Sequence, residues 1–333
     1  MSTSIAMHAP KNALPKDCSL VSDVSGALRV LRNLSRFGRR AWLDRALSSS
    51  AVTQRIDLRC AGGETVTVEV AGNGQPMLLL HGLGGSRHDW DAALASLSRE
   101  YRACTMDLSG HGSRVGSHAR ATLAGMARDV AQVLQQLSLS RVLLVGHSMG
   151  ALVAMQYLQL YGAHRLAGLC IIDQSPRVAS DEQWQLGVFG SLTRDQIGGA
   201  LTRMHGDFPG TVLAEGARLL DRVGLGHEGI AGRALEYAVA ALCNSIGEKP
   251  LLSLIESVAD ADFRPLIPRI PVPTLVLLGG ASHHYGGLPL ADYYLANLAR
   301  GTVVTYDSCT HSPHRQAPED FANDLMDFAQ RIC

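Results

Sequence analysis

Short apolar segments alternate with helical patterns along most of the chain, and this alternation limits the possible folds more than any other feature. The segments that begin at Val142, Gly168 and Thr274 are almost continuously apolar, which is typical of strands covered on both faces. Helical patterns separate successive segments. Strands that alternate with helices favour a mostly parallel sheet between two helical layers, which is an α/β fold.

The same pattern gives expected bounds for each element. Strands are predicted at residues 54–60, 64–70, 77–80, 101–106, 142–145, 168–172, 274–278 and 302–306. Helices are predicted at about 89–98, 122–137, 149–161, 289–299 and 318–331. The first two strands flank Ala61-Gly62-Gly63 and are therefore expected to form a hairpin.

One interval breaks the alternation. Residues 177–265 contain no convincing strand, although helix-forming residues and large apolar side chains such as Trp184 and Phe189 are frequent there. We interpret this interval as a helical cap inserted between two strands of the core. The predicted organisation is an N-terminal extension over residues 1–50, a core formed by residues 51–176 and 266–333, and the cap over residues 177–265.

Composition excludes several classes of function. Lys plus Arg and Asp plus Glu are equal at 30 residues each, so no overall charge indicates nucleic acid or an acidic polymer as a partner. The cysteines are scattered without C-x-x-C spacing, which argues against a zinc site or a disulfide framework. The sequence shows no secretory signal and no apolar run of the roughly 18 residues needed to span a bilayer. We therefore expect a soluble, cytoplasmic protein.

The N-terminal extension contains one patterned segment, at residues 25–47. Leucines and Trp42 alternate there with arginines in a basic, amphipathic helical pattern that Gly38 interrupts. Packing on the protein's own core or within an oligomer is the expected role. Peripheral contact with an anionic membrane is the alternative. The sequence leaves the oligomeric state open.

The motif Gly146-His147-Ser148-Met149-Gly150 indicates the chemistry. It fits G-x-S-x-G, follows a predicted strand and opens a predicted helix, which is the context that this motif requires. A serine on a tight strand-to-helix turn occupies strained backbone, and the flanking glycines remove side chains that would clash. The turn is expected to present the Ser148 hydroxyl above the sheet as a nucleophile.

From about residue 54 to its end, the sequence resembles the α/β-hydrolase superfamily. That fold is a mostly parallel eight-stranded sheet between helices, with an inserted helical cap. Residues 81–85, His-Gly-Leu-Gly-Gly, resemble the superfamily's oxyanion loop. The resemblance implies that the backbone amides of Leu83 and Met149 stabilise the charge on a tetrahedral intermediate.

Residues 107–113 resemble a loop of the superfamily that shapes the floor of the active site, which implies a structural role for His111. The residues expected to contact substrate are His81, Gly82, His147 and Trp184.

Two histidines follow the last predicted strand, where the superfamily places its catalytic histidine. In residues 309–314, Cys-Thr-His-Ser-Pro-His, the first histidine corresponds to the family's base. The resemblance thus implies that His311 accepts the serine proton and returns it to the leaving group. His314 is expected to be a supporting, partly buried histidine.

The acid departs from the superfamily's most common position. Residues 279–285, after the strand that follows the cap, contain no carboxylate. The superfamily also uses a second position, at the end of the strand before the cap, and there the sequence has Asp173. A carboxylate in that place would orient the imidazole and stabilise its charged form. Asp173 is therefore the predicted acid. A structural role at the strand end, with Asp260 or Asp262 as the acid, is the alternative.

Together these residues predict a serine hydrolase that cleaves a carboxylic ester or thioester with an apolar acyl or alkyl group through an acyl-serine intermediate. Acyl transfer, carbon–carbon bond hydrolysis and perhydrolysis use the same residues, and the sequence does not separate them. A non-catalytic receptor for a small ligand, or a lipid hydrolase recruited to membranes by residues 25–47, are further alternatives. His88, His283 and His284 lack metal-ligand spacing, so we expect neither a metal nor a cofactor.

Overall fold

The computed structural model describes residues 53–60, 63–116, 121–190, 192–207, 210–214, 217, 236, 246, 248–285 and 288–332. The predicted amphipathic segment at residues 25–47 lies outside the described residues. Among the helices that are described, none is both long and apolar enough to cross a bilayer.

In the described part of the chain, eight strands form a single sheet. Their bounds are β1 Thr53–Arg59, β2 Thr65–Ala71, β3 Gln75–Leu80, β4 Tyr101–Met106, β5 Val142–His147, β6 Leu166–Ile172, β7 Thr274–Gly279 and β8 Gly301–Tyr306. The order across the sheet is β1-β2-β4-β3-β5-β6-β7-β8. Pairing is antiparallel between β1 and β2 and between β2 and β4, and parallel elsewhere. The predicted eight-stranded, mostly parallel α/β fold is confirmed.

The central strands are apolar along their whole length because both faces of the sheet are covered. Every residue of β5 and of β7 is buried. Successive side chains of β5 point to opposite faces, so Val142 and Leu144 belong to one buried cluster and Leu143 and Val145 to the other. Two-sided burial explains why these strands have continuous rather than alternating apolar sequences.

Helices supply both covering layers. The described helices are α1 Asp91–Leu97, α2 Leu123–Gln136, α3 Met149–Tyr161, α4 Arg194–Met204, α5 Glu248–Asp260, α6 Leu288–Asn297, α7 Pro313–Gln316 and α8 Pro318–Ile332. Short 3-10 turns lie at Arg87–Trp90, Gly112–Arg114, Val188–Gly190 and Ile267–Arg269. Side chains of α2, α3 and α6 join the cluster on one face of the sheet, and those of α1 and α8 join the cluster on the other.

Residues 177–265, between β6 and β7, are called the insertion below. Its two ends lie together, because Arg177 pairs with Asp262 in an antiparallel bridge. Two helices of the insertion, α4 and α5, pack against each other, and Arg194 of α4 binds Asp260 of α5 at 2.5 Å. A capping box starts α4: the Thr193 hydroxyl accepts from the backbone N–H of Gln196, whose side chain accepts in return.

Candidate active site

Ser148 lies on a sharp turn between the end of β5 and the start of α3. Its backbone has φ 51° and ψ −122°, a strained conformation for any residue other than glycine. A Cβ at Gly146 would collide with the backbone of the first turn of α3, and a Cβ at Gly150 would collide with the end of β3. The N–H of Ser148 donates to the carbonyl of Ile172 at 2.9 Å. The turn is thus held in place by close backbone contacts that only the two glycines permit.

A continuous chain of hydrogen bonds joins Ser148, His311 and Asp173. The Ser148 Oγ lies 2.9 Å from His311 Nε2, and His311 Nδ1 lies 2.6 Å from Asp173 Oδ2. With its proton on Nδ1, the imidazole donates to the carboxylate and accepts from the serine hydroxyl. Both separations are within hydrogen-bond reach, which is the geometric requirement for a base acting on a nucleophile. The structure therefore brings together all three residues of the predicted triad.

The loop after β7 supports the carboxylate of Asp173. The Gly279 N–H donates to Oδ1 at 2.9 Å, and the Ser282 hydroxyl donates to Oδ2 at 2.7 Å. Asp173 is buried, so these donors and His311 replace the water that a carboxylate would otherwise bind. This loop is the superfamily's common position for the acid itself, and in this chain it supplies hydrogen-bond donors instead.

The two alternative acids make other contacts. Asp260 binds Arg194 at 2.5 Å and its side chain is 58% exposed. Asp262 binds Arg264 at 2.6 Å. Both carboxylates thus pair with arginines of the insertion, whereas Asp173 is the carboxylate that contacts His311.

The predicted oxyanion residues border the same cavity as Ser148. Leu83 and Met149 both line it. Met149 is the first residue of α3, so the helix itself provides no partner for its N–H. The loop that contains Leu83, at residues 81–85, is fixed by the His81 ring. Its Nε2 accepts the Leu108 N–H at 3.0 Å, and its Nδ1–H donates to the Gly82 carbonyl at 2.8 Å. Burial lowers the pKa of His81 to about 3, so the ring is neutral and can do both.

Two of the residues expected to contact substrate do not reach the described cavity. His81 is completely buried, and its ring is occupied by the loop contacts just described. Trp184 packs edge-on against Tyr293 at 4.9 Å between ring centroids, and its indole N–H donates to the Arg177 carbonyl at 3.0 Å. A buried indole needs a partner for its N–H, and this one finds it within the insertion. Among the described residues neither His81 nor Trp184 lines the cavity, while Gly82 and His147 do, and substrate contact stays a prediction.

His147 contacts the backbone of His311. Its Nε2–H donates to the backbone carbonyl of His311 at 2.7 Å. Burial, with the neighbouring His314, holds the pKa of His147 well below its usual range, so the ring stays neutral. His314 is buried between His147 and Trp90, at centroid distances of 4.4 and 4.6 Å. His314, the second of the two histidines that follow the last strand, thus packs against His147 and Trp90.

A further histidine, His284, contacts the ring of His311. The ring of His284 lies face to face with that of His311, with centroids 3.9 Å apart and planes 17° apart. It also lines the cavity. Its sequence position, in the loop after β7, gave no signal of this, because the contact depends on how two distant loops meet.

A cavity of about 570 Å³ lies above Ser148. Asp89 and Arg315, which form an ion pair at 3.8 Å, line a polar end of this cavity together with residues 82–85. The insertion supplies an apolar wall, which includes Ile197, Leu201 and Met204 of α4 and Leu254 and Val258 of α5. Within the part of the chain that the structure describes, no three His, Cys, Asp or Glu side chains are grouped to hold a metal ion.

A family model described as the alpha/beta hydrolase family matches residues 77–324. The chain belongs to the alpha/beta hydrolase family. Among the relatives of this alpha/beta hydrolase is a pimeloyl-[acyl-carrier protein] methyl ester esterase from Vibrio cholerae. It is 26% identical over 264 residues, which cover 79% of this chain and 97% of that protein.

Solved structures show the same fold. An esterase from Exiguobacterium antarcticum has a TM-score of 0.68 at 21% identity, covering 83% of this alpha/beta hydrolase and 100% of that chain. A thermophilic esterase from Thermogutta terrifontis has a TM-score of 0.66 at 24% identity, covering 84% and 99%.

Proposed function

We propose that this alpha/beta hydrolase cleaves a carboxylic ester or thioester that carries an apolar acyl or alkyl group, through an acyl-serine intermediate. At the level of reaction class the protein is an ester-acting hydrolase, as its relatives named esterases indicate. The observation that supports the finer proposal most is the hydrogen-bonded chain from Ser148 through His311 to Asp173, beneath a largely apolar cavity.

The first half-reaction forms the acyl-enzyme. The Oγ of Ser148 attacks the carbonyl carbon while its proton passes to His311 Nε2, 2.9 Å away. Asp173 keeps the other ring proton on Nδ1 and stabilises the imidazolium that forms. The imidazolium then gives its Nε2 proton to the departing alcohol or thiol. In the second half-reaction His311 takes a proton from water, which attacks the acyl carbonyl. The imidazolium then returns this proton to Ser148 Oγ as the C–Oγ bond breaks and the carboxylic acid leaves.

The carbonyl oxygen becomes negatively charged in both half-reactions. We assign its stabilisation to the amides of Leu83 and Met149, since both residues border the cavity beside Ser148. Loss of one such donor typically costs about 2.7–4 kcal/mol of transition-state stabilisation. The ring contacts of His81 matter here because they fix the loop that presents the Leu83 amide.

We assign the apolar wall of the cavity to the acyl chain. The insertion supplies that wall with aliphatic side chains of α4 and α5, so we propose that it acts as a cap that selects the acyl group. The name of the Vibrio cholerae relative describes a methyl ester of an acyl group on a carrier protein. By analogy, we propose that the alcohol is small and that it leaves from the polar end, near Asp89 and Arg315.

Initial rates on p-nitrophenyl esters, with acyl chains from acetyl to dodecanoyl, test this function. Wild type should show an optimum at medium chain length, because the cavity has an apolar wall and a volume of about 570 Å³. Ser148→Ala should lose the activity on every ester. Absence of Ser148-dependent turnover on all of these esters would reject the proposal.

A further inference from the structure

Three aromatic rings form a stack that ends on the base. The His284 ring lies 3.9 Å from the His311 ring, with 17° between their planes. The Phe189 ring lies 5.0 Å from the His284 ring and is tilted by 37° to it. Phe189 belongs to the insertion, His284 to the loop after β7, and His311 to the loop after β8. The stack therefore connects the insertion to the proposed general base.

Backbone contacts reinforce the connection. The N–H of Phe189 donates to the carbonyl of His284 at 2.7 Å. Phe189 has φ 55°, in the left-handed region that bulky side chains rarely adopt, and Gly190 follows with φ 70°. Such a conformation persists only where its surroundings over-determine it. The insertion is therefore built to place this ring on His284.

The stack supplies a constraint that the hydrogen bonds of His311 do not. Those bonds, to Ser148 and Asp173, attach to opposite edges of the ring. Together with the Cβ–Cγ bond they set the place of the ring, but hydrogen bonds tolerate angular deviations of roughly 30°, so the ring plane keeps some freedom to tilt. A second flat ring against its face opposes that tilt. The His311 side chain is 21% exposed, so packing on its other sides does not fully enclose it.

His284 can do this as a neutral ring. Burial, followed by the neighbouring His311, lowers the pKa of His284 to about 4. At neutral pH the two imidazoles thus stack without the repulsion that two cations would have.

We propose that His284 is a positioning residue that holds the ring plane of His311 for proton transfer, and that Phe189 makes this support depend on the arrangement of the insertion. The inference rests on the proposed function, because it concerns the same reaction centre. It adds a route by which contacts between a substrate and the insertion affect the orientation of the proposed base.

Steady-state kinetics on p-nitrophenyl acetate test the role of His284. His284→Ala should lower kcat about tenfold with KM within about twofold, near the upper end of what an aromatic pair contributes. His284→Phe, which keeps a flat ring, should restore kcat to within about twofold of wild type. His284→Leu, which keeps volume without a flat ring, should behave like His284→Ala and replaces it if that variant does not fold. His283→Ala, the exposed neighbour, is the matched control and should match wild type.

A double-mutant cycle tests the role of Phe189. Phe189→Ala should lower kcat about threefold in wild type and have no further effect in the His284→Leu background, since Phe189 acts through His284. The downfield NMR resonance of the His311 Nδ1 proton should broaden in His284→Leu and stay sharp in His284→Phe. The inference is overturned if His284→Leu retains wild-type kcat, or if His284→Phe lowers kcat as much as His284→Leu does. It is also overturned if the free-energy effects of Phe189→Ala and His284→Leu on kcat simply add in the double variant. Each of these results leaves Ser148-dependent hydrolysis by wild type intact, so it is distinct from failure of the proposed function.

Discussion

An Asp173→Asn substitution keeps the shape of the side chain and exchanges one acceptor oxygen for an NH2 donor. In the structure Oδ1 accepts from the Gly279 N–H, and Oδ2 accepts from Ser282 and His311. The asparagine oxygen can keep the bond to Gly279, which places its NH2 opposite His311. The imidazole would then accept through Nδ1 and carry its proton on Nε2. That proton faces Ser148, where a base needs a lone pair.

Loss of the His311 tautomer that carries its proton on Nδ1 is expected to lower kcat strongly. In a serine-protease triad the same change lowers kcat about 10,000-fold. Here His311 makes the same two hydrogen bonds, at 2.6 and 2.9 Å, so a similar dependence is expected. We predict a kcat lower by about 1,000- to 10,000-fold, or about 4–5.5 kcal/mol in activation free energy. KM should change little, because Asp173 is not among the described residues that line the cavity.

The assay is nitrophenolate release from the best p-nitrophenyl ester, with the melting temperature recorded for each variant. Asp260→Asn is the matched control, because it makes the same exchange at an exposed carboxylate that the sequence offers as an alternative acid. It should stay within about twofold of wild type. The reasoning is refuted if the kcat of Asp173→Asn stays within tenfold of the wild-type value, or if Asp260→Asn lowers kcat as much as Asp173→Asn does.

Three further predictions concern the support of the acid, the pH dependence of stability and the acyl pocket. Ser282→Ala removes one donor from the Asp173 carboxylate and should lower kcat about tenfold with the melting temperature nearly unchanged; an unaltered kcat would contradict it. Burial lowers the pKa of His314 to about 3, whereas a histidine in the unfolded chain has a pKa near 6.5. Between these two pH values the unfolded chain binds more protons than the folded one. The free energy of unfolding therefore falls as the pH drops from about 6.5 towards 3. His314→Phe should flatten this slope by up to about 1.4 kcal/mol per pH unit in urea titrations, and an unchanged slope would count against the assignment. Ala200→Phe fills part of the cavity and should move the optimum to shorter acyl chains, whereas Thr202→Phe, on an exposed position of the same helix, should leave it unmoved.

The strands and the strained turn at Ser148 could be predicted because their signals are local. A strand covered on both faces must be apolar throughout, as β5 is, and a serine on a strained turn needs glycine on both sides. Asp173 could be placed because it ends a strand at the carboxyl edge of the sheet, where the Ser148 turn also lies.

Contacts between distant loops could not be predicted in this way. Ser282 reaches Asp173 across 109 residues of sequence, and nothing in the residues around either one indicates the pair. The residues around His284 indicate no role beyond the absence of metal-ligand spacing, since its stacking on His311 depends on the relative position of two loops. Trp184 shows the converse: an apolar ring in the insertion can face the cavity or pack on a neighbour, and hydrophobicity alone does not distinguish these.

The central claim is that Ser148 is an activated nucleophile. Reaction with a fluorophosphonate reagent, followed by intact-protein mass spectrometry and peptide mapping, tests it most directly. Wild type should gain one adduct, located on the peptide that contains Ser148, while Ser148→Ala stays unmodified and Asp173→Asn reacts much more slowly. A wild-type protein that remains unmodified, or an adduct on any other residue, would contradict the account.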